Sequence, residues 1–134
     1  MSNQTESSFW KQVKTGLSNT DVVCTRIENS STPGVPDLLL LDRKKNFHLL
    51  ELKVAKGNKV LLSPHQVSFA TRHRGANSWI AVKKDDTVHL YRSDQAIEVF
   101  EDGLRTVAHG SFTKPIDWAE LLTTIETYRV PLES

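Results

Sequence analysis

The chain of 134 residues predicts an α/β domain: a central mixed β-sheet flanked by helices, in the order α-β-β-β-α-β-β with a C-terminal helix. Three observations carry this. Apolar residues recur at helical spacing near both ends, as Phe9, Val13 and Leu17 and as Trp118, Leu121, Leu122 and Ile125. Two apolar runs, Pro36 to Asp42 and Phe47 to Val54, are joined by the polar Arg43-Lys44-Lys45-Asn46 and read as a β-hairpin. A helix opening at Ser63-Pro64 then separates that hairpin from two further strand-like segments, the pattern of a sheet with helices on its faces.

The elements follow in order. Ser7 to Leu17 reads as the first helix, and Val22 to Ile27, short and β-branched, as a strand. Ser30 to Gly34 is turn-like. Leu38 to Leu41 are apolar on both faces, as in a covered central strand. Ala55 to Leu62 is a basic connection. In the next helix, Ser63 to Arg74, Ser63 is the N-cap, Pro64 occupies the first turn and Gly75 is the stop. Ser78 to Val82 and Thr87 to Tyr91 are strands around Lys84-Asp85-Asp86. Asp94 to Gly103 fits neither period, and Pro115 to Thr127 closes the chain as a helix.

Composition bounds the function. With 38% hydrophobic and 25% charged residues the chain resembles an ordinary soluble domain. One cysteine, Cys24, excludes an internal disulfide framework. Without an 18-residue apolar run or a signal-peptide pattern, no membrane association and a cytoplasmic location are expected. Net charge is only +1, but its distribution is uneven. Residues 43–74 hold eight cations against one acid, Glu51, whereas residues 85–126 hold nine acids against three bases. The middle can face a polyanion while the C-terminal third faces water.

The chemistry is concentrated where a core should be. Along Phe47 to Val54, Glu51 and Lys53 share one face. Asp37 starts the preceding strand, so a hairpin about residues 43–46 brings it close to Glu51 and Lys53 at one sheet end. Two carboxylates at one spot repel each other unless a cation joins them. Hard divalent cations prefer such oxygens, and a neighbouring lysine can hold a phosphate or orient a water. That set suits metal-assisted phosphodiester hydrolysis.

Gly34-Val35-Pro36-Asp37 followed by Glu51-Leu52-Lys53 resembles the PD-(D/E)XK nuclease signature, with Asp37 and Glu51 separated by 14 positions. Ser63-Pro64-His65-Gln66 resembles the helix-borne Gln of the VRR-NUC nucleases and of phage endonucleases related to Holliday-junction resolvases. The resemblance covers about residues 5–92 and implies a restriction-endonuclease-like core within a single domain, 1–134, with a C-terminal extension from about 93. It implies Mg²⁺ or Mn²⁺ held by Asp37, Glu51 and the Leu52 backbone carbonyl, Lys53 near the attacking water, and Gln66 in support. Glu6 or Glu28 is a further acid for the metal. Gln66 also has the spacing of a capping-box partner for Ser63.

The implied activity is a metal-dependent DNA endonuclease leaving 5′-phosphate and 3′-hydroxyl ends, selective for branched DNA and dimeric so that two strands are cut. The alternatives are a non-catalytic nucleic-acid-binding module of the same fold and a nuclease acting on RNA. Lys56, Lys59, Arg72 and Arg74 are expected to track phosphates of branched or duplex DNA, and Gly34 to give turn geometry or clearance beside the substrate. Lys83 and Lys84, beside Asp85 and Asp86, are expected to matter less.

Overall fold

The computed structural model describes residues 5–27 and 32–128. Six strands form one sheet in chain order: β1 (Val23–Arg26), β2 (Leu38–Leu41), β3 (Phe47–Val54), β4 (Ser78–Lys84), β5 (Thr87–Arg92) and β6 (Gly110–Thr113). Every neighbouring pair is antiparallel except β3 and β4, which run parallel because helix α2 (Pro64–Arg72) crosses between them. Helices α1 (Glu6–Leu17) and α4 (Trp118–Thr127) cover one face, burying Phe9, Val13 and Leu17 and Leu121, Leu122 and Ile125 against Leu38, Leu40, Leu50 and Leu52. On the other face lie α2 and α3 (Ala96–Asp102), over Ile80, Val82 and Tyr91. The sheet is thus a mixed layer between helices, as the sequence predicts.

The hairpin is pinned by polar groups. Asp42 Oδ1 accepts the N–H groups of Lys44 and Asn46 at 2.8 and 2.9 Å, closing the turn. Burial pushes its carboxyl up, but hydrogen bonds from Asn46, His48 and Lys44 outweigh this and hold it below the usual carboxylate range. Its Oδ2 meets His48 Nε2 at 2.7 Å, and His48 Nδ1 faces Trp79 Nε1 at 3.2 Å. An indole nitrogen only donates, so Nδ1 is the acceptor and the His48 proton sits on Nε2, toward Asp42. Arg43 is drawn out of the basic segment: its guanidinium meets the buried carboxylate of Glu126 at 2.6 Å, tying α4 to the hairpin.

Four differences from the sequence expectation have physical reasons. Strand β2 is covered on one face only: Leu38 and Leu40 are buried but Leu39 and Leu41 are half-buried, because the apolar cluster under α2 and α3 is built on β4 and β5 and does not reach the sheet's β1 edge. Beside them Val23 and Phe47 are exposed. The 94–103 segment resolves into a short 3₁₀ turn at Ser93–Gln95 followed by α3. Strand β6 was not anticipated; it buries only Phe112, so it has no apolar period to read. The last helix starts at Trp118, three residues later than expected, with Asp117 capping it by accepting the Glu120 N–H.

Trp79→Phe leaves His48 Nδ1 without its buried donor and opens a small void. A loss of roughly 2–4 kcal/mol in chemical denaturation is expected. No change in midpoint would mean that the Asp42–His48–Trp79 network does not anchor the hairpin.

Candidate active site

The register of β2 on β3 sets Leu38 opposite Leu50, so the next rung opposes Asp37 and Glu51. The ladder stops there. Leu49 and Ala55 direct their N–H groups to β4, as bonds to the carbonyls of Asn77 and Lys83, so by alternation the backbone of Leu52 faces the β2 side. Its N–H donates to Asp37 Oδ2 at 2.8 Å. In an extended strand the carbonyl of the same residue points the same way, which puts the Leu52 oxygen beside Asp37. Two carboxylates and one carbonyl converge where the strand pairing ends.

Glu51 is buried. Its carboxyl is pushed up to about 9, first by burial and next by the charge of Asp37, with Lys53 partly offsetting them. Gln66 Nε2 donates to Glu51 Oε2 at 3.1 Å. The same amide's Oε1 accepts the Ser63 N–H at 2.9 Å, and Ser63 Oγ accepts the Gln66 N–H at 3.1 Å. Gln66 is therefore the capping-box partner of Ser63, and the cap aims its NH₂ group at Glu51. Lys53 Nζ lies 3.9 Å from Glu51 Oε2 and 3.4 Å from Glu6 Oε1.

Glu6 is the first residue of α1, behind the N-cap Thr5, and is mostly exposed. It joins the site through Lys53. Among the described residues no three His, Cys, Asp or Glu side chains gather into one metal-binding group, so Glu6 does not close on the Asp37–Glu51 pair as a third acid. Glu28, the other acid expected, lies outside the described residues.

Gly34 has φ of +88°, and a Cβ there would come within 2.2 Å of the His65 carbonyl oxygen. The clearance it provides is toward the first turn of α2, letting the loop before Asp37 pack against the helix that carries Gln66. The four cations expected on DNA do not form one patch. Lys56 and Lys59 follow the carboxyl end of β3, whereas Arg72 and Arg74 follow α2 back to the start of β4, level with Leu49. The length of β3 separates the pairs, roughly 20 Å at about 3.3 Å per residue. Lys83 and Lys84, discounted in the sequence, line a cleft with Lys53 and Lys56. Sequence spacing holds no signal for this, because parallel pairing of β4 with β3 puts them there.

A hairpin carrying Asp37 and Glu51-Leu52-Lys53, followed by a crossover helix that returns Gln66 to the same point, defines a restriction-endonuclease-like nuclease of the PD-(D/E)XK class. The family model described as archaeal Holliday junction resolvase (Hjc) matches residues 2–129, and the chain belongs to that family. It is accordingly a nuclease. Among solved structures it is similar to a VRR_NUC domain, at 22% identity and a TM-score of 0.49, over 72% of this chain and 94% of that one. No curated protein matches the chain.

Two predictions follow from this geometry. The folded carboxyl of Glu51 titrates at about 9 against an ordinary 4.5, so the native state binds more protons than the unfolded chain between those values. Stability in EDTA should therefore fall as pH rises through that window. Glu51→Gln should lose this decline and exceed the native protein at pH 9 by at least about 1 kcal/mol, the worth of a single pKa unit. Equal slopes in thermal melts of the two proteins would remove the repulsion. Separately, Gln66→Glu retains the capping acceptor but presents a third carboxylate to Glu51. Cleavage should fall at least about tenfold while helix content persists, whereas loss of the cap alone, in Ser63→Ala, should cost about 1 kcal/mol of stability and little rate.

Proposed function

We propose that the protein is a divalent-metal-dependent DNA endonuclease that cuts at branched junctions, leaving 5′-phosphate and 3′-hydroxyl ends. The observation that carries this is the facing Asp37–Glu51 pair, one carboxyl of which is raised to about 9, first by burial and next by the charge of the other. The donor set fits a hard cation: Asp37 Oδ1, the Glu51 carboxylate and the Leu52 carbonyl would hold Mg²⁺ or Mn²⁺, substrate and water completing the shell. Such an ion supplies charge neutralisation and polarisation of a phosphoryl oxygen.

The chain's own groups do the rest. The Leu52 N–H fixes one oxygen of Asp37, leaving the other for the site. Gln66 fixes one oxygen of Glu51. Lys53, held between Glu51 and Glu6, donates to a non-bridging phosphate oxygen and orients the attacking water. The water oxygen bonds to phosphorus, the bond from phosphorus to the 3′ oxygen breaks, and the departing oxygen takes a proton from solvent. Glu6, exposed at the edge, is placed to accept the proton that the water loses.

A junction needs two cuts and the described residues of one chain carry one such pair, so we read the working form as a homodimer. The exposed Val23 and Phe47, with half-buried Leu39, Leu41 and Leu49, form an apolar sheet face that a second copy would cover. DNA phosphates are assigned to Lys56, Lys59, Arg72 and Arg74, whose two separated pairs suit a long duplex arm.

The test is cleavage of labelled four-way junction, flap, linear duplex, single-stranded DNA and RNA with Mg²⁺, Mn²⁺ or EDTA. Metal-dependent cutting of the junction is expected, abolished by Asp37→Asn and lowered about 10²-fold or more by Lys53→Ala with metal affinity retained. Absence of cleavage in every metal, or native turnover by Asp37→Asn, overturns the reading.

A further inference from the structure

A cleft of about 580 Å³ opens at the carboxyl ends of the two parallel strands, between the tail of β3, the β4–β5 turn and the first turn of α1. Sheets with parallel strands bind ligands at this edge. Its lining carries Lys53, Lys56, Lys83 and Lys84 against two acids, Glu6 and Asp85. Both acids are engaged: Glu6 with Lys53 at 3.4 Å and Asp85 with Lys84 at 4.0 Å. Lys83 is the unusual member. It is only 2% exposed, yet among the described residues no carboxylate lies within 4.0 Å of its ammonium. The partner it does have is a neutral amide, Gln12 Oε1 at 2.9 Å.

An ammonium has three donors and is rarely buried without a counter-charge. Burial holds this one below the ordinary lysine range, with Asp86 at longer range opposing and Lys114 adding to the effect. A buried tie to Gln12 alone would need one donor and no charge. A lysine held at a cleft wall by an uncharged acceptor is instead suited to an anion that arrives from outside.

We propose that this cleft is a second phosphate site, distinct from the Asp37–Glu51 pair, in which Lys84 and Lys56 contact the DNA phosphodiester next to the one being cut and the buried Lys83 adds positive potential from behind them. Lys53 stands between the two sites, lining the cleft while lying 3.9 Å from Glu51. Gln12, reaching from α1, positions Lys83 without neutralising it. The assignment rests on the nuclease reading above and adds to it a substrate contact made by β4 and α1.

The test uses the full chain without metal, bound to labelled four-way junction and followed by fluorescence anisotropy across a salt series. Lys84→Ala should lower the log–log salt slope by about 0.9, one phosphate contact, and Lys83→Met, which keeps the buried volume, should lower it by a smaller amount. Gln12→Glu gives Lys83 an internal counter-ion and should weaken junction binding to a similar degree. With metal, Lys83→Met should raise KM at least about fivefold. If Lys83 were structural only, Gln12→Glu would raise the melting temperature and leave the salt slope alone, and that result overturns the proposal. An unchanged slope in both lysine variants, with circular dichroism reporting native folds, also overturns it; if Asp37→Asn still abolishes cleavage, the nuclease reading survives. Binding of inorganic phosphate that depends on Lys83, with the DNA slope unchanged, assigns the cleft to a free anion and rejects the DNA contact. Failure of the native chain to bind DNA rejects both.

Discussion

The hydrogen bond from the Leu52 N–H to Asp37 Oδ2, 2.8 Å long, is the interaction on which the site depends. It takes the place of the next ladder bond where β2 ends. A backbone pairing is thereby exchanged for a carboxylate, which stops the sheet and sets an acid opposite Glu51. A slip of one residue in this hairpin would turn Glu51 and Lys53 to the face occupied by α1 and α4 and bring the leucines out. Leu38, Leu40, Leu50 and Leu52, buried together on that face, resist the slip. The geometry of the acids is therefore held by apolar burial, which tolerates the cost of bringing like charges together.

Around this pair the fold spends its polar groups unevenly. At the turn end of the hairpin, Asp42, His48 and Trp79 satisfy one another in the interior, and Arg43 answers the buried Glu126. At the open end, Glu51 is buried opposite another carboxylate, Asp37, with a neutral amide and a lysine as its favourable neighbours. One end of the same two strands is electrostatically closed and the other is left waiting for charge. Such contrast within a few residues marks Glu51, rather than Asp42, as the candidate functional carboxylate.

Much of this was legible in the chain. Asp37, Glu51 and Lys53 could be placed at one sheet end because a hairpin and a period of two leave little freedom, and Gln66 because Ser63-Pro64 marks a helix start. Arg43, by contrast, looked like part of a DNA-facing run until Glu126, 83 positions away, proved to be its partner. Lys83 was discounted on account of Asp85 and Asp86, its neighbours in sequence, whereas its surroundings come from α1 and β3. Strand β6 and the bare half of β2 were missed for a related reason. An edge strand burying one phenylalanine has no pattern, and coverage of a strand depends on where a distant helix lies.

The position of the acids within the hairpin also bears on how the chain folds. Zipping starts at the turn, where Asp42 gathers the Lys44 and Asn46 N–H groups, and proceeds toward the open end, so Asp37 meets Glu51 on the last rung. Glu51 is buried only once α2 and β4 have docked, a pairing that joins Leu49 to Ser78 across the α2 crossover. Repulsion between the acids thus falls on the rung farthest from the turn. In the metal-free protein, ionising Glu51 is expected to hasten unfolding more than it slows refolding. The lifetime of the native state, rather than the speed of reaching it, is what the charge at this site governs.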